Sequence, residues 1–203
     1  MENTPHDREL LLREMHHRVK NNLQMVASLL NLQVAHASTK TPAEVLQASQ
    51  DRISSMSILH EKLCASDNFK TLDIKNYVES IAEHLVVSQN RSRKILRCDL
   101  DVKEFSADVL VPLGLIVNEI LSNSLKHGRS EDYESIIEIK GTNKDNHYHI
   151  SIRDNGGGFE FDQGIRKDAL GLKLVRGLAN QIGATFNYSN LNGSNFGFSI
   201  PIV

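Results

Sequence analysis

With 203 residues, 40% of them hydrophobic and 24% charged, the chain can bury the core of one ordinary domain or two small ones. A formal net charge of −2 argues against a general nucleic-acid binder, and no apolar run approaches the ~20 residues needed to cross a bilayer. MENTPHDREL lacks the basic flank and apolar stretch of a signal peptide, and Cys64 and Cys98, without a CxxC spacing, read as reduced thiols of a cytoplasmic protein.

Residues 4–7 (TPHD) and 41–44 (TPAE) share one helix-opening pattern: a capping threonine, proline at the first helical position, and an acid three residues after the cap. Two helical patterns follow, at about 8–35 and about 42–65, joined by VAHASTKT. In the first, Leu12, Val19 and Val26 fall at heptad position a, Met15, Asn22 and Leu29 at d, and Leu23 and Leu30 at e. In the second, Leu46, Ser49, Ile53, Met56, Leu59 (or His60) and Leu63 share one face. Two amphipathic helices cannot close a core alone, so the pattern predicts a homodimeric four-helix bundle built on residues 8–65.

Within the first pattern, EMHHRVKNNLQ (14–24) holds two adjacent histidines, whose rings point about 100° apart on a helix. His16 falls at e, beside Met15 and Leu23 on the bundle edge, and reads as a packing residue. His17 falls at f, facing away from the seam and flanked by Glu14, Lys20, Asn21 and Gln24. That is the accessible address a nucleophile needs, although a solvated surface histidine is the default for such a position.

The character changes near residue 70. NYVESIAEHLVV reads as a helix, RKILRCDL as a strand, and 107–126 as a long helix with Pro112 near its first turns. ESIIEIKGT and HYHISIRD are strands joined by NKDN in a hairpin; LGLKLVRGLANQIG is a helix, and ATFNYS and FGFSIPIV are strands. The order predicts a mixed sheet covered on one face by helices, in an α+β chain divided into 8–66 and 70–203.

Four stretches of the second half carry chemistry. RDNGGGF (153–159) puts an acid and three glycines after an alternating strand; alone it is an ordinary glycine turn. NEILSNSLKHG (118–128) puts Glu119 and Asn123 on one helix face with Lys126 and His127, an unusual set for a core helix, whose apolar stripe here is Leu115, Ile116, Ile120 and Leu121. In DALGLKLVRGL (168–178) Gly171 opens a helix, a good place for phosphate, and GSNFGF (193–198) gives a further glycine turn before the last strand.

In this order and spacing the four stretches resemble the N, G1, G2 and GT boxes of the GHKL ATP-binding fold, and EMHHRVKNNLQMVASLLNLQ resembles the phosphoacceptor helix of HisKA_2 sensor histidine kinases, relatives of the HWE kinases. The resemblance runs from about residue 10 to the end. It implies an antiparallel helical hairpin, a four-helix bundle as dimer, followed by an α/β-sandwich ATP-binding domain. It implies ATP and Mg²⁺, with Asn123 as the Mg²⁺ ligand, Asp154 accepting from the adenine amino group, and Gly156 and Gly158 making room for the base. Gly171 matches the hinge before the phosphate-binding helix, Glu119 the acid of the N box, Lys126 a phosphate contact, and Ser194 the threonine position near adenine. His127 and Leu172 fall among the nucleotide-binding positions, and His17, directly before RVKN, matches the acceptor.

The activity implied is that of an ATP-dependent protein-histidine kinase of a two-component system, passing phosphoryl from His17 to an aspartate of a response-regulator receiver domain, with a sensor that is separate or trimmed away. The chain departs from the pattern at residue 169, where GxGL has its first glycine and this sequence has Ala169, and in a short segment between Phe159 and Leu170, where Arg166 and Lys167 are candidates to reach the terminal phosphates. Arg18 follows the acceptor where many histidine kinases have an acid. The base is therefore open: Glu14, at i−3 of His17, is a candidate, or a surface acid paired with Arg18. Three alternatives stand beside this reading. A phosphotransfer protein that does not use ATP would have lost the N and G1 boxes, whereas an anti-sigma-type serine kinase or a dimeric scaffold leaves the hairpin and its HRVKN run, or the intact boxes, without a purpose.

Overall fold

In the computed structural model of the protein, the residues described are Ala27, 41–65, 71–88, 94–127, 135–158, 170–190 and 192–202. Glu14, His16 and His17, with the TPHD opening and the first heptad pattern, lie outside them, as do Arg166 and Lys167. Contacts divide the chain into Met1–Ser49 and Gln50–Val203.

The TPAE opening forms as its chemistry dictates. Thr41 donates its backbone N–H (2.9 Å) and its hydroxyl (2.8 Å) to the Glu44 carboxylate, and Glu44 N–H returns a bond to Thr41 Oγ1 at 3.3 Å. This capping box starts helix α1, Pro42–Ala65. Its later turns pack within the second unit, burying Arg52, Ser55, Met56, Leu59 and Leu63. The expected bundle face is thus split. Ser49, Met56, Leu59 and Leu63 are buried within the chain, while Leu46 and Ile53, two heptad turns of the same stripe, stay 61% and 44% exposed.

The second unit continues with β1 (Thr71–Asp73), α2 (Ile74–Ser88), β2 (Lys94–Leu100), β3 (Glu104–Ser106), α3 (Ala107–His127), β4 (Ser135–Lys144), β5 (His147–Asp154), α4 (Leu170–Gln181), β6 (Thr185–Asn190) and β7 (Ser194–Pro201). Five strands form a mixed sheet in the order β2-β4-β5-β7-β6, parallel only between β2 and β4. Within residues 70–203, each long helix and strand read from sequence is present within a few residues. The two-stranded β1–β3 sheet was not anticipated, because three-residue strands are too short to show an alternation.

Alternation fixes which side of the sheet is core. Tyr148, Ile150, Ile152 and Asp154 of β5, and Ser194, Phe196, Phe198 and Ile200 of β7, all point to the buried face, which α2, α3 and α4 cover. The β4–β5 turn is two residues long: Asp145 and Asn146 take left-handed φ values of 52° and 56°, which match the twist of the paired strands. Helix α3 corrects one reading of the sequence. Ala107–Lys126 is long and apolar enough to cross a bilayer by length and composition, yet 83% of that window is buried inside the protein, so it is the central core helix.

Candidate nucleotide site

Asp154 is the last residue of β5, and strand register alone carries its side chain to the core face under α3, where it is 7% exposed. A carboxylate there must be matched by donors. Oδ1 accepts the backbone N–H groups of Gly156 (2.9 Å) and Ser194 (3.2 Å), and Oδ2 accepts the Ser124 hydroxyl at 2.7 Å. An ionised carboxylate has about four lone-pair sites, so these three bonds leave acceptor capacity for one more donor. Asn155 pins the turn that follows, its Oδ1 accepting Ile136 N–H at 2.9 Å and its own N–H bonding Ile136 O at 3.3 Å.

Glycine is required at two places around this acid. Gly158 has φ +63°, and a Cβ there would run into the Asn190 amide; Gly193 has φ +122°, and a Cβ there would overlap the Asp154 carbonyl. Between these turns and α3 lies a cavity of about 340 Å³, lined by Asn123, Ser124, Asp154, Gly156–Gly158, Ser194 and Phe196. That volume sits in the range of small-molecule sites, roughly 300–1,000 Å³. Among the described residues other than its chain neighbours, Gly157 has no atom within 4 Å of where its Cβ would be, so they leave the backbone there open to a ligand.

The structure therefore brings together Asn123, Asp154, Gly156, Gly158 and Ser194 of the residues read from sequence. Glu119 lies one turn before Asn123 but outside the cavity lining. It is buried, and its Oε1 accepts Arg52 Nε at 2.5 Å. Gly171, near the start of α4, borders both: a Cβ on it would be 2.6 Å from Glu119 Oε2 and 3.8 Å from Asn123 Nδ2. Leu172 is a buried core residue, Lys126 is exposed near the end of α3, and His127 is that helix's last residue.

Three residues of the site were not read from sequence. Ser124 looks like any helical serine until β5 is placed beneath it. Phe196 sits two residues after Ser194 and shares its face. Arg52 gave only a weak signal, as one of three polar residues (Ser49, Arg52, Ser55) at three-residue spacing on a buried face.

The donor set fits the groups expected there. A purine amine can meet the remaining capacity of Asp154 in a cradle kept open by glycines. No cluster of three His, Cys, Asp or Glu side chains occurs among the described residues. One asparagine amide at the cavity edge therefore suits Mg²⁺ arriving with phosphate oxygens and water, the usual mode for this ion.

Comparison with known proteins agrees with this geometry. Residues 14–89 match the HisKA_2 family model (Histidine kinase), and residues 108–203 match HATPase_c (Histidine kinase-, DNA gyrase B-, and HSP90-like ATPase). The chain thus carries a HisKA_2 histidine-kinase segment followed by a HATPase_c domain, and that combination implies binding of ATP with Mg²⁺. Sensor histidine kinase PdtaS of Mycolicibacterium smegmatis is 30% identical over 181 residues, 85% of this chain and 36% of the relative. Blue-light-activated histidine kinase 2 of Erythrobacter litoralis is 24% identical over 187 residues, 89% of this chain and 53% of the relative. The chain thus spans about a third to a half of the length of these relatives. In fold it is similar to the histidine kinase domain of the Erythrobacter litoralis EL346 blue-light activated histidine kinase, with a TM-score of 0.73 at 23% identity over 94% of this chain and 93% of that one.

Proposed function

We propose that this chain is the kinase core of a two-component sensor: an ATP-dependent protein-histidine kinase that phosphorylates His17 and passes the phosphoryl group to an aspartate of a response regulator. The observation that carries the reading is the Asp154 clamp, a buried carboxylate tied to two backbone N–H groups and a hydroxyl, facing a glycine-walled cavity with Asn123 at its edge. In this reading residues 8–66 are the dimerisation and phosphotransfer hairpin and 70–203 the catalytic domain. The exposed Leu46 and Ile53 of α1 are apolar surface that a second copy would cover.

Asp154 and Ser194 hold the base, and Gly156 and Gly158 keep the wall low enough to admit it. Asn123 would hold Mg²⁺, which when bound would offset the negative charge of the phosphates. The start of α4 at Gly171 offers backbone N–H groups to phosphate, with Lys126 adding positive charge from α3. A neutral imidazole nitrogen of His17 attacks the γ-phosphorus. The P–N bond forms as the bond to the β,γ-bridging oxygen breaks, ADP leaves, and the imidazole gives up its N–H proton, with Glu14 the candidate to receive it.

Incubation of the full chain with γ-labelled ATP, with and without Mg²⁺, tests this. The reading predicts Mg²⁺-dependent incorporation of a label that is lost in acid, survives base, and moves to an isolated receiver domain with an intact aspartate. A protein that binds no ATP and takes up no label would instead be a phosphotransfer module that does not use ATP.

A further inference from the structure

Glu119 is set by a residue 67 positions earlier. Arg52, on α1, is buried along its side chain (5% exposed) and donates Nε to Glu119 Oε1, while its Nη1 is buried with no hydrogen-bond partner among the described residues. Such a pair is a poor way merely to glue two helices. Taking both charges out of water costs more than burying an apolar pair of the same volume, and an unsatisfied guanidinium nitrogen adds to that cost. The location gives the cost a purpose. Glu119 Oε2 lies against Gly171, where even a methyl group would sit 2.6 Å away, and Asn123 borders the same spot from one turn further along α3. The carboxylate is thereby wedged between α1 and the start of α4, next to the residue expected to hold Mg²⁺.

What fixes Arg52 is the seating of α1. Asn118, adjacent to Glu119, donates Nδ2 to Asp51 O (2.9 Å) and to Ser55 Oγ (2.7 Å), and the Tyr77 hydroxyl of α2 donates to Ser55 O at 3.2 Å. These bonds hold the α1 backbone on either side of Arg52. A turn or slide of α1 would withdraw the guanidinium and leave Glu119 a buried carboxylate without its cation, too costly to keep in place, so that its side chain must move.

We infer that Arg52 is a positioning residue of the nucleotide site, acting through Glu119, so that phosphoryl transfer depends on how α1 is seated on α3. The inference rests on the kinase reading above, and the experiment separates the two. Label incorporation from γ-labelled ATP with Mg²⁺ is followed across ATP concentrations for the wild type, Arg52→Met, Glu119→Gln, the double variant, Asn118→Ala and Ile200→Ala, each with its melting temperature. Arg52→Met is expected to lower the rate at saturating ATP by about tenfold or more while the KM for ATP moves by less than about threefold. In the Glu119→Gln background it should have no further effect, the non-additivity of residues acting as one unit. Asn118→Ala, which loosens the seating of α1 around Arg52, should lower the rate in the same direction as Arg52→Met, whereas Ile200→Ala, at a buried position of β7 away from α1 and the cavity, should leave the rate within about threefold of wild type even where it costs as much melting temperature. Arg52→Lys, which keeps a cation at the site, should recover part of the rate, and it replaces Arg52→Met in the cycle if that variant melts below the assay temperature. Equal effects of Arg52→Met and Ile200→Ala, a wild-type rate in Asn118→Ala, or an undiminished effect in the Glu119→Gln background would overturn the inference and leave the kinase reading intact. A wild type that takes up no label would overturn the kinase reading, and the inference with it.

Discussion

Both carboxylate oxygens of Asp154 hold protein donors, Gly156 and Ser194 N–H on Oδ1 and the Ser124 hydroxyl on Oδ2. In Asp154→Asn the amide oxygen can keep the two backbone donors, and the new NH₂ can meet Ser124, whose hydroxyl turns to accept. The fold should survive, but a purine amine would then face a donor instead of an acceptor. We expect ATP affinity, read by calorimetric titration with Mg²⁺ present, to fall by about 10–100-fold, the equivalent of the ~1.5–3 kcal/mol of a hydrogen bond to a charged group. Ser124→Ala removes only an orienting bond and should cost about fivefold or less, from the ~1 kcal/mol of a neutral partner. Unchanged affinity in Asp154→Asn would remove Asp154 from the base site. At this scale the sequence is legible where residue types are rare in ordinary structure. An acid followed by three glycines stands out; a serine on a helix does not, and Ser124 becomes a site residue only because β5 ends beneath it.

Among the elements, the long periodic ones were predictable, since a helix of 15 or 21 residues repeats its apolar pattern several times. Their partners were not. The stripe on α1 pools two faces: Met56, Leu59 and Leu63 pack inward with Arg52 and Ser55, while Leu46 and Ile53 remain outside. Periodicity says that a face is apolar, not which neighbour covers it. The crossing of α2 and α3 depends on a feature equally hidden in one dimension. Gly114 of α3 lies under the fully buried Tyr77, and a Cβ there would overlap the tyrosine hydroxyl. Gly114→Ala should force Tyr77 aside and break its bond to Ser55, costing about 1–3 kcal/mol as overpacking does. The urea midpoint should fall accordingly, and a Gly114→Ala protein as stable as wild type would show that α2 and α3 do not cross as closely as this.

At the scale of the molecule, the fold holds the protons of three side chains among the described residues. Burial keeps the Tyr77 hydroxyl protonated well above its ordinary range; burial, then Asp101 and Asp73, does the same for Tyr148. Burial, then Glu79 and Glu83, pushes the Cys98 thiol up to about 11 from an ordinary 9.0. Each folded-state value lies above its unfolded one; the stability Cys98 contributes is complete below about pH 9 and is lost as pH rises through about 11, and that of the two tyrosines is lost only at still higher pH. The urea midpoint should hold level from neutral pH to about 9 and drop above it; a midpoint unchanged to pH 11 would contradict these environments. The class of fold was legible at this scale because helix and strand patterns alternate in a fixed order. The docking of residues 50–65 with the sheet unit was not, because it rests on side-chain pairs such as Arg52 with Glu119 that lie 67 residues apart. The account turns most directly on the histidine doublet. Labelling with γ-labelled ATP and Mg²⁺ should give an acid-labile, base-stable phosphoryl group in the wild type and in His16→Ala, and none in His17→Ala. Label that persists in His17→Ala, or that vanishes in His16→Ala alone, would contradict it.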